Sequence, residues 1–372
     1  MSQSAQPGSR TSAYLRFIAG VVYFFAARAM ASRVSFGLGG DAGSPVGSSL
    51  PVGSSLMEQL ALVFLLLVGY SSMGFWLDKQ MHPITEQGLP RRRGWQREAG
   101  MGIAFGWSLA LVPVVLIALT GGIATSFTWS VGNVLVWFAC LAYFALATLA
   151  EELVCRGYAF QKLERAVGGL GAALIFAGFS AVMAALVPGS THSSVLVAVV
   201  LSLALSAAYL RTRALWVGWG LHFAWNASRA LVFGLAVAGV NSRSPIVQGN
   251  PMGSYWMTGG AFGLDASWMV FVVMLASLPV LFRLTADLDF LHNAPVLEPG
   301  GIAVDLNVAA RAQHEAAMGP EQPQSPVLVQ IQPLAGSAAP LIAPAPSVPP
   351  PPPVLASAPA PVSGGNPPPS IV

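Results

Sequence analysis

The chain has 372 residues, of which 54% are hydrophobic and only 9% charged, and its mean hydropathy is +0.64. A soluble domain carries about 25% charged residues, so the composition excludes an ordinary soluble protein and indicates an integral membrane protein. The net charge of +3 is small and the arginines fall in loops, which excludes a nucleic-acid surface; the two cysteines, Cys140 and Cys155, share one predicted span and cannot form a disulfide framework.

Residues 1–12 are polar and are expected to be disordered. A first span covers residues 12–31, around Arg16 and Arg28, although its basic start, apolar middle and Ala29-Met30-Ala31 also fit a cleaved signal sequence. The tandem PVGSSL within residues 44–56 has too few copies for a solenoid and reads as a Gly/Ser loop. A second span follows at 57–77, then a loop with Arg91, Arg92, Arg93 and Arg97, a third span at 101–119, and an uncharged Gly/Ser/Thr loop. The fourth span, 131–150, runs into a charged island, LAEELVCRGYAFQKLER. Further spans are expected at 168–187, 195–210, 214–235 and 267–281.

The fold class is therefore an all-α membrane protein, a polytopic bundle of about eight transmembrane helices over residues 13–285. Residues 286–372 read as an Ala/Pro-rich disordered tail with polyproline II character, a spacer more than an SH3-type ligand. Placing the Arg91–Arg97 loop in the cytoplasm puts 14 of the 18 basic residues on that side and leaves only Arg28, Arg33, Arg229 and Arg243 across the membrane. In that orientation Glu151 lies at the cytoplasmic end of span four, and the tail is cytoplasmic.

Adjacent carboxylates at the end of a span are costly and call for a purpose. On a helix Glu152 and Arg156 are i,i+4 neighbours and can pair. Glu151 lies about 100° away round the axis and stays free, as a catalytic base requires. In GLHFAWNAS, His222 and Asn226 are also i,i+4, with Arg229 continuing the same face. Taken singly, each is better explained as a hydrogen bond between helices; the combination on one membrane side favours a site. A transporter with a Glu151/Arg156/His222 proton relay is a further alternative, but the hydropathy shows neither inverted repeats nor broken helices.

These motifs resemble those of the CPBP intramembrane endopeptidases, which include CAAX prenyl proteases and bacteriocin-processing or immunity proteins. Their EExxxR is matched by Glu151, Glu152 and Arg156, followed by Gly157, and their HxxxN by His222 and Asn226. The approach AYLRTRALWVGWG and the later TGGAFG are also similar, so the resemblance covers about residues 131–267. It implies an enzyme of the inner membrane of a bacterium that hydrolyses a peptide bond of a membrane-associated or prenylated peptide. Glu151 would activate water, and His222 and Asn226 would support the oxyanion. The family's middle motif, FxxxH, meets Phe179 but then Met183 in place of the histidine. A thioether cannot take a proton and is a poor zinc ligand. If a divalent metal such as zinc is used, its ligands would be Glu151, Glu152 and His222. The substitution also raises the alternative of a catalytically silent member that binds a membrane partner.

Overall fold

The structure is a computed structural model, and it describes residues 7–37, 52–240 and 244–293. Helix α1 (Pro7–Gly37) begins before the expected boundary. Pro7 has no amide hydrogen to leave unpaired in a first turn, so residues 7–12, expected to be disordered, are helical. Helix α2 (Val52–Asp78) takes up most of the second PVGSSL copy, while the first lies outside the described residues. After the short α3 (Pro83–Glu86) comes α4 (Trp95–Leu119). The uncharged loop that follows contains a strand, β1 (Ile123–Phe127).

Ser130 caps α5 (Val131–Arg156), accepting from the Asn133 amide at 3.0 Å. Gly157 separates α5 from α6 (Tyr158–Val167), and α7 (Gly169–Ala185) follows. A capping box of Thr191 and Ser194 starts α8 (His192–Thr212). Helix α9 (Trp216–Ala227) is much shorter than the expected span of 214–235, because the chain continues as a π-turn, Ser228–Val232. Strand β2 (Val247–Pro251) pairs antiparallel with β1, and α10 (Tyr255–Thr258), α11 (Trp268–Leu284) and α12 (Ala286–Asn293) complete the described chain. Helix α12 falls in the expected tail. Asp287 and Asp289 in its first turn suit a helix N-terminus, and Asp289 pairs with Arg211 at 2.9 Å. The rest of the tail lies outside the described residues.

Among the described residues five helices are long and apolar enough to cross a membrane: Arg10–Val34, Ser55–Asp78, Trp95–Leu119, Val131–Val167 and His192–Thr212. Helices α7 and α11 are apolar but shorter, and α9 is shorter still, so the eight expected spans resolve into five full ones and three short ones. Large apolar side chains such as Phe64, Leu135, Leu170 and Val182 lie on the outside, as expected of an integral membrane protein solvated by lipid.

Contacts between elements define two ends of the bundle. At the arginine-rich end Arg92 binds Glu98 at 2.8 Å and the Thr212 carbonyl at 2.8 Å, and Arg213 meets Glu164 at 2.8 Å. There Asp78 also accepts from Arg16 at 2.6 Å and forms an ion pair with Lys162 at 2.8 Å. At the other end the β1–β2 ribbon forms, and Ser193 donates to the Ala266 carbonyl at 2.6 Å. An apolar cluster including Tyr70, Tyr158, Phe160, Tyr209 and Leu215 fills the arginine-rich half. Trp225, Ile117, Val270 and Met274 fill the ribbon half.

Candidate active site

Helix α5 does not end at Ala150, the expected close of the span. It continues to Arg156, and α6 extends the same span to Val167. Glu151 therefore lies within the bundle and not at the end of a span, a correction to the expectation from hydropathy. The helix can carry these charges inward because they are paired. Glu152, 1% exposed, accepts from Arg156 Nη1 at 3.2 Å. Arg156 Nη2 donates in turn to the carbonyl and Oγ of Ser202, at 2.9 and 3.1 Å. Ser202 is ten residues from each end of α8, so the pair sits at mid-depth in the bundle.

The second half of the site is supplied by α9, which α4 holds at backbone contact. A Cβ on Gly102 would overlap the Val217 carbonyl, and one on Gly106 the Leu221 carbonyl. Gly102 and Gly106 form a GxxxG spacing that lets two helices approach closely. On the far face of α9, the absence of a side chain at Gly218 leaves room for Glu152, whose Oε2 lies 3.5 Å from the position a Cβ would take. His222 Nδ1 is 2.9 Å from Glu152 Oε1. A carboxylate already accepting from arginine can only accept again, so this ring nitrogen carries the hydrogen and donates. The other ring nitrogen, Nε2, faces Glu151 Oε2 at 3.4 Å, an ion-pair distance that a substrate or water could tighten or bridge.

Glu151, with a side chain 60% exposed, and His222 face one open cavity of about 600 Å³. Met183, half exposed, is in its wall together with Ser180 and Ala184. The middle-motif position is thus in the site, but with a side chain that neither donates nor accepts a proton. Asn226 is not among the residues lining the cavity. Its Oδ1 accepts from Arg229 Nη2 at 2.6 Å, and Arg229 pairs with Asp265 at 2.6 Å and stacks over Trp225 at 4.1 Å. The structure brings Glu151, Glu152, Arg156, His222 and Met183 together, and groups Asn226 with a separate buried network one turn away.

The residues offered for a metal do not converge. Glu152 sits against Nδ1 of His222 and Glu151 against Nε2, on opposite sides of the imidazole, and Glu152 is also held by Arg156. Among the described residues no group of three or more His, Cys, Asp or Glu side chains is placed to hold an ion. The donor set as arranged does not fit a metal centre.

Ser202, the Arg229–Asp265 pair and the α4 glycines escaped the sequence reading. The GxxxG spacing at 102–106 was visible in the letters, whereas nothing local marks Ser202 or Asp265 as partners of residues 46 and 36 positions away.

A family model described as "Type II CAAX prenyl endopeptidase Rce1-like" matches residues 132–228. No curated protein and no solved structure matches the chain. The matched stretch runs from α5 into the π-turn and contains Glu151, Glu152, Arg156, Met183, His222 and Asn226. Over residues 132–228, about a quarter of its length, this integral membrane protein is thus similar to the Rce1-like type II CAAX prenyl endopeptidases, a family of proteases.

Proposed function

We propose that the chain is an intramembrane endopeptidase that uses Glu151 to activate water against a peptide bond of a membrane-associated polypeptide. The observation that carries this is the juxtaposition of an exposed carboxylate and a braced imidazole, 3.4 Å apart, at the edge of a cavity large enough for a peptide segment. Glu151 takes a proton from water as the water oxygen bonds to the scissile carbonyl carbon. The carbon–nitrogen bond then breaks, and the proton passes to the leaving amine. His222 supports the developing oxyanion or carries the proton through Nε2. Glu152, clamped by Arg156, fixes the ring through Nδ1. Because Arg229 occupies the amide oxygen of Asn226, the amide nitrogen of Asn226 is turned away from it and offers a second donor to a carbonyl seated one turn beyond His222. The arginine-rich end is placed in the cytoplasm of a bacterial inner membrane, in accord with the distribution of basic residues.

Met183 favours one other reading, a silent family member that binds a membrane partner. Without a second imidazole, the site lacks a contribution typically worth about 10²–10⁴ in rate. The two readings separate in a cleavage assay with a membrane-anchored reporter. A protease loses cleavage on Glu151→Ala and gains it on Met183→His. A silent member is inert as wild type, and Glu151→Ala then leaves partner binding intact. Cleavage that is equal in wild type and Glu151→Ala defeats the proposal.

A further inference from the structure

The glycine-rich stretch TGGAFG and the π-turn after α9 meet at one carboxylate, Asp265. Asp265 stands on a 3₁₀ turn, Leu264–Ala266, just before α11, with its side chain 16% exposed. Gly259 and Gly263 shape the approach. Their φ angles are +72° and +91°, a region that favours glycine, and a Cβ on Gly263 would overlap the Ala236 carbonyl. The residues that follow are tied down as well. The Ala266 carbonyl accepts from Ser193, in the first turn of α8, at 2.6 Å, and Ser267 caps α11. From this fixed backbone Asp265 Oδ2 accepts from the Ala238 amide at 2.9 Å, and Oδ1 lies 2.6 Å from Arg229 Nη1.

Arg229 is held on every edge. Its Nε donates to the Trp225 carbonyl at 3.0 Å, the guanidinium packs over the Trp225 ring at 4.1 Å, and Nη2 donates to Asn226 Oδ1 at 2.6 Å. A guanidinium only donates, so the atom of the Asn226 amide that faces it is the oxygen, and the NH₂ group points away. Among the described residues this is the one side-chain hydrogen bond that Asn226 makes. Asn226 shares a helical face with His222, so its unspent NH₂ group lies one turn beyond the imidazole. Without the Asp265 carboxylate, the buried guanidinium loses its counter-charge. The Asn226 amide then loses the fixed cation that decides which way it faces.

We infer that Asp265 is a positioning residue for the candidate active site. Acting through Arg229, it holds the Asn226 amide with its NH₂ group free for the carbonyl under attack. Arg229 and Asp265 both lie beyond residues 132–228, so the family match does not account for this relay. The role in catalysis rests on the proteolytic reading; the orientation of the amide does not.

The test is a double-mutant cycle on the full chain in detergent. Asp265→Asn, which keeps the shape and removes the charge, is crossed with Asn226→Ala. Cleavage of a membrane-anchored reporter gives kcat and KM, and thermal unfolding is followed for each variant. Asp265→Asn should lower kcat by roughly 10–10²-fold, less than the about 10²–10³ of losing an oxyanion donor outright, with KM little changed. In the Asn226→Ala background it should lower kcat no further, while shifting the unfolding temperature equally in both backgrounds. An equal kcat loss in both backgrounds, or none in the first, overturns the relay. Arg229→Lys guards against misfolding of Asp265→Asn. Lysine keeps a charge beside Asp265 but lacks the fork that also holds Asn226, and should give the same pattern. Side-chain amide NMR with isotope-labelled asparagine, the Asn226 signal assigned by Asn226→Ala, reads the orientation without cleavage. A rigid NH₂ group in wild type should become mobile in Asp265→Asn; equal mobility in the two overturns the relay. If wild type cuts nothing but this change is seen, the proteolytic reading fails and the relay stands.

Discussion

Among the described residues two carboxylates with buried side chains each lie beside two basic side chains, and only one of them belongs to the candidate site. Asp78 binds Arg16 and Lys162 from two other helices, under a layer of aromatic rings, with its side chain 2% exposed. Glu152 binds Arg156 and His222 and is equally buried, but its neighbour Glu151 is 60% exposed to a cavity. The first cluster joins α1, α2 and α6 and leads nowhere. The second ends on a group that water can reach. Burial of charge in a membrane protein therefore does not by itself mark a reactive centre; access from the buried pair to water and substrate does.

The comparison breaks most sharply if the two carboxylates are removed one at a time. Glu151→Ala should lower reporter cleavage by about 10²–10⁴-fold, the usual contribution of a general base. Its thermal unfolding in detergent should match wild type, because the lost side chain is largely exposed. Asp78→Ala should do the reverse. Removing the carboxylate leaves Lys162 buried without its partner, at a cost of about 3–5 kcal/mol in stability. A wild-type unfolding transition for Asp78→Ala would show that this cluster is not the staple its geometry indicates.

Helix α4 offers a smaller and internally controlled contrast. Gly100 and Gly106 sit on the same helix, but a Cβ at Gly100 meets nothing within 4 Å, whereas one at Gly106 overlaps the Leu221 carbonyl next to His222. Gly100→Ala should raise stability by about 0.5–1 kcal/mol through helix propensity. Gly106→Ala should lower it by about 1–3 kcal/mol through overpacking, and should reduce cleavage by displacing α9. Equal behaviour of the two, read from thermal unfolding, would mean that α9 is not held by this close approach.

Much of the site was legible because its residues obey local periodicity. Glu152 with Arg156, and His222 with Asn226, are spaced for one helical face, and the missing imidazole at Met183 could be read from a four-residue motif. What hydropathy obscured was depth. A charge pair normally ends a span, so the span was closed at Ala150, yet Ser202 and His222 complete the coordination of the pair and let the helix run on. The surroundings of Asn226 were hidden for a related reason. Its own partner is Arg229, itself fixed by Asp265 from a loop 36 residues further on, and no periodic pattern reports a loop contact. The π-turn that shortens α9 and the β1–β2 ribbon likewise depend on long-range pairing, which short windows of sequence do not contain.

The smallest effect is expected at Arg28 in the cavity wall, where a third ion pair completes the comparison. Arg28 and Glu58 meet at 2.7 Å, but their side chains are 47% and 20% exposed, against 4% or less for the Glu152–Arg156 and Asp78–Lys162 pairs. An exposed pair is screened by solvent and salt, and is worth about 0–1 kcal/mol. Arg28→Gln should therefore change the unfolding midpoint little, and what change there is should shrink as salt is raised. If burial is what separates a staple from a rim contact, the cost should rise from Arg28 to Asp78 in step with the loss of exposure. A loss of stability at Arg28→Gln as large as that at Asp78→Ala would remove burial as the distinguishing variable.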